Sequence, residues 1–251
     1  MTRTRTVLVT GGAKRLGARI TRSLAAAGHR VVIHYGTSAN AAEALAAEMV
    51  NAATVQGDLS DLHAVDALFD RARHAAGAAI DGLVNSASAF DYDAPPDLDP
   101  DLLLRLYAIG HAAPSLLASA LARQDDIADG AVVNILDQKV ANLNPDFYAY
   151  TGGKLALAGA TTMLAQALGP RIRVNAVAPG LSLASSDQTE AEFRSVASNN
   201  ALGRPVDPDD IATAATFLMT ARGVQGQTIF VDCGQRFCLR DRDVMFERDR
   251  G

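Results

Sequence analysis

Tyr150 and Lys154 are separated by Thr151-Gly152-Gly153, and the two side chains together could do acid-base chemistry. A phenol titrates near 10, too high for easy proton transfer at neutral pH, and a neighbouring ammonium favours its ionised form. At about 4 Å and an effective dielectric of about 20 the attraction is roughly 4 kcal/mol, which caps the fall in the phenol pKa at about three units. Upstream, Asn134-Ile135-Leu136-Asp137 follows the apolar run Ala131-Val132-Val133. An ionised carboxylate only accepts hydrogen bonds, so Asp137 suits a substrate edge that carries N–H or NH₂ groups and opposes a developing alkoxide. A strand-end carboxylate of this kind can also be satisfied by Lys139 or a backbone amide. An isolated Tyr-x-x-x-Lys is ordinary on a solvated helix face. The pair acquires chemical meaning only from what positions it.

Asn144-Pro145, a capping residue followed by proline, predicts the start of a helix. Tyr150 and Lys154 then fall at i and i+4 on one face. Before this helix the chain alternates short β-rich runs with helical spacing. Thr6-Val7-Leu8-Val9 ends in Thr10-Gly11-Gly12-Ala13-Lys14-Arg15-Leu16-Gly17, and Ile20 and Leu24 follow at helical spacing. Glycines in such a turn let backbone approach a pyrophosphate, and the helix behind it offers free N–H groups and a positive dipole end. A tight turn needing positive φ would by itself account for one or two of them. A second strand, residues 30–35, ends at His34-Tyr35, where a dinucleotide-binding unit places an acid on the adenine ribose. No acid is there. His34, Tyr35 and Ser38 offer polar donors, and Lys14 and Arg15 lie where a 2′-phosphate would project, so the phosphorylated dinucleotide is favoured.

Further strands are predicted at residues 54–59, ending in Asp58-Leu59, and at 80–84, ending in Asn85-Ser86-Ala87-Ser88-Ala89-Phe90. Others follow at 131–136, 171–177 and 228–232, with helices at 41–49 and 61–76, around Leu102–Ile109, after Tyr150, and around Ile211–Leu218. This order predicts an α/β fold, a doubly wound parallel sheet of Rossmann type in one domain over residues 1–251, with helices on both faces. Residues 91–100, rich in Asp and Pro, read as a loop at the carboxyl edge, and 184–200, with little apolar periodicity, suits a mobile lid.

Composition narrows the function classes. With 49% hydrophobic residues in 251 the chain can bury a large core, and a net charge of −5 without basic clusters speaks against nucleic acid. No signal-like segment opens the chain, and no apolar run approaches a bilayer's thickness, so no membrane partner is expected. Cys233 and Cys238 are too close for a disulfide framework and have no histidine or second pair to make a zinc site, so no metal is expected. A cytoplasmic location fits these features.

With the turn at 10–17, Asp58-Leu59, Asn85-Ser86-Ala87-Ser88, Tyr150/Lys154 and Pro179-Gly180 in this order, the chain resembles the short-chain dehydrogenase/reductases over nearly its whole length. Within them it is most similar to the pteridine reductases, including the bacterial dihydromonapterin reductase type. That likeness rests on Lys14-Arg15-Leu16-Gly17, His34-Tyr35, the 85–90 stretch, Pro179-Gly180-Leu181-Ser182, and Asp137 where the wider family has a serine. The resemblance implies NADPH held by Gly11, Lys14, Arg15, Leu16, Gly17, His34, Tyr35, Ser38, Asp58, Leu59, Asn85, Ser86, Ala87, Tyr150, Lys154, Pro179, Gly180 and Ser182. It implies catalysis by Asp137, Tyr150 and Lys154, with a pterin stacked on Phe90 and bound at its polar edge by Ser88, Asp137 and Tyr150. A homotetramer with long helices at its interfaces is implied as well. The chain departs from the family at Ile109-Gly110-His111, where a helical asparagine is usual, and at Cys233, where glycine is common. Reduction of a carbonyl, and a non-catalytic cofactor-binding regulator, are the alternative functions.

Overall fold

The computed structural model describes residues 4–184 and 189–246. Seven parallel strands form one sheet in the order β3-β2-β1-β4-β5-β6-β7: β1 (Thr6–Thr10), β2 (Arg30–Tyr35), β3 (Ala52–Gln56), β4 (Gly82–Asn85), β5 (Gly130–Ile135), β6 (Ile172–Pro179) and β7 (Thr228–Val231). Strand side chains alternate between faces, and both faces are covered, so the central strands are largely apolar. Val7, Val9, Val31 and Ile33 pack with Ile20 and Leu24 of α1 (Arg15–Ala26) and with Ile211 and Leu218 of α8 (Pro208–Thr220). Leu8, Val32, Leu83 and Val132 face the other way, onto Leu68 and Phe69 of α3 (Val65–Ala76) and Leu117 and Leu121 of α5 (Ala113–Arg123). Each fully buried leucine or isoleucine here contributes roughly 1.5–3 kcal/mol. The strand ends are therefore a firm base for the loops they carry.

Chain order reverses between β1 and β4, and the segments leaving the carboxyl ends of β1, β4, β5 and β6 all emerge at that edge. These are the glycine turn, the 85–90 stretch, Asp137 and Pro179–Ser182, so the topology gathers motifs that are far apart in sequence.

Several boundaries differ from expectation. Helix α6 (Tyr148–Leu168), which carries Tyr150 and Lys154, begins later than Asn144-Pro145 predicts, behind Phe147 in left-handed backbone at φ 54. Asn144 is used otherwise: its Oδ1 accepts from Nζ of Lys139 (2.8 Å) and from the Asp146 amide (3.3 Å). β3 stops before Asp58, and the 61–76 helix divides into a 3₁₀ turn at Leu62–Ala64 and α3. The helical run Pro100–Arg123 joins α4 (Pro100–Tyr107) to α5 through a π-helical turn at Ala108–Ala112. Contrary to the sequence expectation, this 24-residue run is long and apolar enough by composition to cross a membrane. Its buried residues Ala113, Leu117, Ala118 and Leu121 are instead packed into the core. In the lid expected at 184–200, residues 185–188 lie outside the described residues. The remainder contains α7 (Glu190–Ala197), opened by a capping box between Thr189 and Glu192 and burying Phe193, Val196 and Ala197. This part of the stretch is helical with one buried face, which sequence reasoning misses.

Candidate active site

The loops at the carboxyl edge enclose a cleft of about 540 Å³. Its walls include Gly11, Lys14, Arg15, Leu16, Gly17, Tyr35, Ser38, Ser86, Ala87, Ser88, Phe90, Asp137, Tyr150, Lys154, Pro179, Gly180 and Ser182. Close approach explains the glycines. A Cβ on Gly11 would stand 2.8 Å from Cα of Ala87, and one on Gly17 would stand 2.1 Å from the Gly11 carbonyl oxygen. Thr10 ties the first two loops together, its Oγ1 accepting from the amides of Ser86 (3.0 Å) and Ala87 (3.1 Å). Behind the turn, α1 has no side-chain cap and no acid in its first turn, so its leading N–H groups face the cleft unneutralised. That cradle fits a pyrophosphate.

Four expected cofactor residues, His34, Asp58, Leu59 and Asn85, are not among those lining the cleft. His34 is buried, with Nδ1 accepting from the Gly11 amide (3.2 Å) and Nε2 facing the Gly57 carbonyl (3.1 Å). It thus holds the glycine turn in place as a neutral ring, and burial lowers its pKa to about 4. Asp58 caps its own turn through the Ser60 amide (2.8 Å) and hydroxyl (2.7 Å), and Leu59 is in the core. Asn85 is buried and donates to Oδ1 of Asn134 (2.8 Å), whose Nδ2 continues to Thr161 (2.9 Å). Arg15 occupies left-handed backbone at φ 50, and its Nη2 donates across the cleft to the Ala184 carbonyl (2.5 Å). It therefore spans the cleft, leaving Lys14 with Tyr35 and Ser38 at the end where a 2′-phosphate was expected.

At the other end, Tyr150 donates its hydroxyl proton to Oδ2 of Asp137 at 2.8 Å, while Oδ1 accepts from the Lys139 amide at 2.9 Å. Lys154 Nζ donates to the Ile135 carbonyl (2.7 Å) and lies 5.6 Å from the Tyr150 ring centre. The expected fall in the Tyr150 pKa is not what this geometry gives. Burial, then the charge and hydrogen bond of Asp137, push the phenol well above its ordinary value, and only the Ser88 hydroxyl pulls the other way. Burial also raises the Asp137 carboxyl, against the Lys139 amide and the Tyr150 hydroxyl, and lowers Lys154 to about 8, against the pull of Asp137. Tyr150 is thus a protonated phenol at neutral pH, a proton source joined by one hydrogen bond to Asp137. Phe90 stands over this pair, edge-on to Tyr150 (4.8 Å) and stacked on Phe147 (4.0 Å).

The family model described as enoyl-(acyl carrier protein) reductase matches residues 11–236. A protein of Picea abies named short-chain type dehydrogenase/reductase is 30% identical over 254 residues, covering 92% of each chain. The chain is a short-chain dehydrogenase/reductase. Among further relatives of this oxidoreductase, the dihydromonapterin reductase of Citrobacter koseri is 28% identical over 234 residues, 91% of this chain and 96% of its own. The crystal structure of FolM alternative dihydrofolate reductase 1 from Brucella suis, in complex with NADP, superposes with a TM-score of 0.90 at 39% identity, covering 97% of this chain and 99% of that one.

Two features of this short-chain dehydrogenase/reductase escape sequence reasoning. Gln235 accepts from the Leu181 amide at 2.8 Å, and Asp243, Val244 and Met245 form part of the cleft wall. Their only sequence signal is a run of alternating charges, which looks like a solvated tail. His111 lies 4.7 Å from the Tyr107 ring and is not among the residues lining the cleft, while Gly110 faces Gly153. Cys233 adopts φ 49, a conformation that explains why glycine is common there, and it is only partly buried.

Proposed function

We propose that this enzyme is an NADPH-dependent reductase of a pterin. The observation that carries the reading is the Asp137 carboxylate, exposed to the cleft beneath Phe90 and hydrogen-bonded to Tyr150. A heterocycle presenting N–H and NH₂ groups complements it, whereas the oxyanion formed from a simple ketone would be repelled. The names of the Citrobacter and Brucella relatives support the same substrate class.

In this reading Gly11 to Gly17 and the start of α1 would hold the pyrophosphate, with Arg15 tied to the Ala184 carbonyl, and Lys154 would bind the nicotinamide ribose. Bound NADPH supplies the hydride. Phe90 would stack on the pterin, Asp137 and Ser88 would bind its polar edge, and Tyr150 would turn its hydroxyl proton from Asp137 to the substrate and deliver it there. NADPH oxidation should be fast with dihydropterins and slow with activated ketones; the reverse order would replace this reading with carbonyl reduction. Ser88 favours that second reading, because its hydroxyl lines the cleft, pulls the Tyr150 phenol down, and could serve a carbonyl as the usual serine does.

The cofactor ends of the cleft predict a split. Lys14→Ala should raise the KM for NADPH about tenfold and that for NADH less than about twofold, since one charge-assisted contact is worth about 1.5–3 kcal/mol. Arg15→Gly, which also relieves the positive φ, should weaken both cofactors alike. Steady-state kinetics with each dinucleotide measures both, and an equal loss for Lys14→Ala would show that it does not read the phosphate.

A cytoplasmic homotetramer completes the proposal. Leu155, Gly159 and Met163 repeat along one face of α6, where Leu155 and Met163 are exposed, and Leu104 and Tyr107 are exposed on the adjoining α4. A second copy could cover these apolar residues.

A further inference from the structure

Lys139 and Asp243 form an ion pair in the wall of the cleft, with Nζ to Oδ2 at 2.8 Å and both side chains buried. Lys139 also donates from Nζ to Asn144 Oδ1 (2.8 Å) and to the Asp146 carbonyl (2.9 Å), which fills its three donor positions. Through its backbone amide the same residue holds Oδ1 of Asp137. Asp243 arrives from the far end of the chain and is seated from the other side. Its amide donates to Oδ2 of the buried Asp146 (2.7 Å), which also accepts from Nε of Arg242 (2.7 Å). A buried ion pair contributes little net stability compared with a well-packed apolar pair, so stability is a weak reason for placing one beside a reacting carboxylate.

We propose that Asp243 is a positioning residue for Asp137: clamped to Lys139, it fixes the arm that holds the Asp137 carboxylate and sets the charge around the substrate's polar edge. The groups facing Asp137 are Tyr150 and Lys154 from α6, Lys139 from the turn that follows, and Asp243 from the C-terminal segment. Among these, Asp243 adds negative charge that keeps the Asp137 carboxyl up, and Lys139 opposes it. The proposal rests on Asp137 meeting the substrate, as in the pterin reading.

The test is the pH profile of kcat/KM for wild type, Asp243→Asn, Asp243→Glu and Arg242→Ala. Asparagine keeps one oxygen for Lys139 to donate to, and removes the charge together with the second oxygen, which accepts from the Met245 amide (3.1 Å). The limb governed by Asp137 should then move about one pH unit toward acid, a tenfold change in rate at fixed pH on that limb. The direction is the same whether Asp137 acts ionised or protonated. Asp243→Glu should restore the limb. Arg242→Ala, which loosens the seat without touching that charge, should lower the rate and leave the limb in place. A limb that stays put in a folded Asp243→Asn enzyme, or that moves equally in Arg242→Ala, overturns the proposal. Should Asp243→Asn not fold, the failure of Asp243→Glu to keep the wild-type limb does so. Profiles are taken on whichever of a dihydropterin or an activated ketone the wild type reduces, so failure of the pterin reading shows separately, as absent dihydropterin turnover in wild type.

Discussion

Tyr150→Phe is expected to lower kcat at least about a hundredfold while the dissociation constant for NADPH stays within about twofold of wild type. The substitution removes one atom, the oxygen that donates to Asp137 at 2.8 Å. Packing survives, because the ring edge that meets Phe90 at 4.8 Å is common to both residues. Lys154 survives too, since its Nζ is anchored on the Ile135 carbonyl and not on the phenol. A group that acts only in proton delivery shows its loss in kcat, whereas a group that binds the cofactor shows it in affinity. Fluorescence titration with NADPH and single-turnover reduction separate the two. Near-normal turnover in the Tyr150→Phe enzyme would mean that the proton comes from elsewhere, and Asp137, with its raised pKa, would be the group to examine next.

The fold was legible in the sequence because a parallel sheet covered on both sides writes itself as short apolar runs, and each run ended in a motif that the topology carries to one edge. Boundaries were harder. Asn144-Pro145 has the composition of a helix start, yet Asn144 serves Lys139, and the helix waits for Phe147 to turn through positive φ. Residue types also gave the membership of the cleft better than the state of its groups. The i, i+4 spacing placed Tyr150 and Lys154 on one helical face, but burial, with a carboxylate hydrogen-bonded to the hydroxyl, outweighs an ammonium at 5.6 Å from the ring. The sequence alone could not reveal that contact, since it depends on how β5 and α6 meet. His34 illustrates the same limit: its position at the end of β2 suggested a cofactor donor, and only the fold shows that both ring nitrogens are committed to backbone. Asp243 shows the limit most clearly. Between Arg242 and Val244 it reads as a solvated acid, and its burial against Lys139 depends on a contact between residues 104 positions apart.

Asp137→Ser is expected to depress pterin reduction about ten- to a hundredfold while carbonyl reduction holds steady or rises. The first effect follows from lost charge-assisted hydrogen bonds to donors on the heterocycle, each worth about 1.5–3 kcal/mol. The second has two sources. Serine returns a hydroxyl donor to a place where a carbonyl oxygen can use it. It also removes the carboxylate whose charge and hydrogen bond, after burial, are the main causes holding the Tyr150 phenol up, so that the phenol becomes a stronger acid. Loss of Oδ1 frees the Lys139 amide, a local penalty that falls equally on both substrates and cancels in their ratio. The comparison is therefore the ratio of kcat/KM for a dihydropterin to that for an activated ketone, wild type against Asp137→Ser, at saturating NADPH and fixed pH. A fall in that ratio of about tenfold or more is the signature of a site built around a nitrogen heterocycle. An unchanged ratio would assign Asp137 to the architecture of the turn at Gln138–Ala141, where its Oδ1 already caps the Lys139 amide, and would leave substrate choice to Ser88 and Phe90.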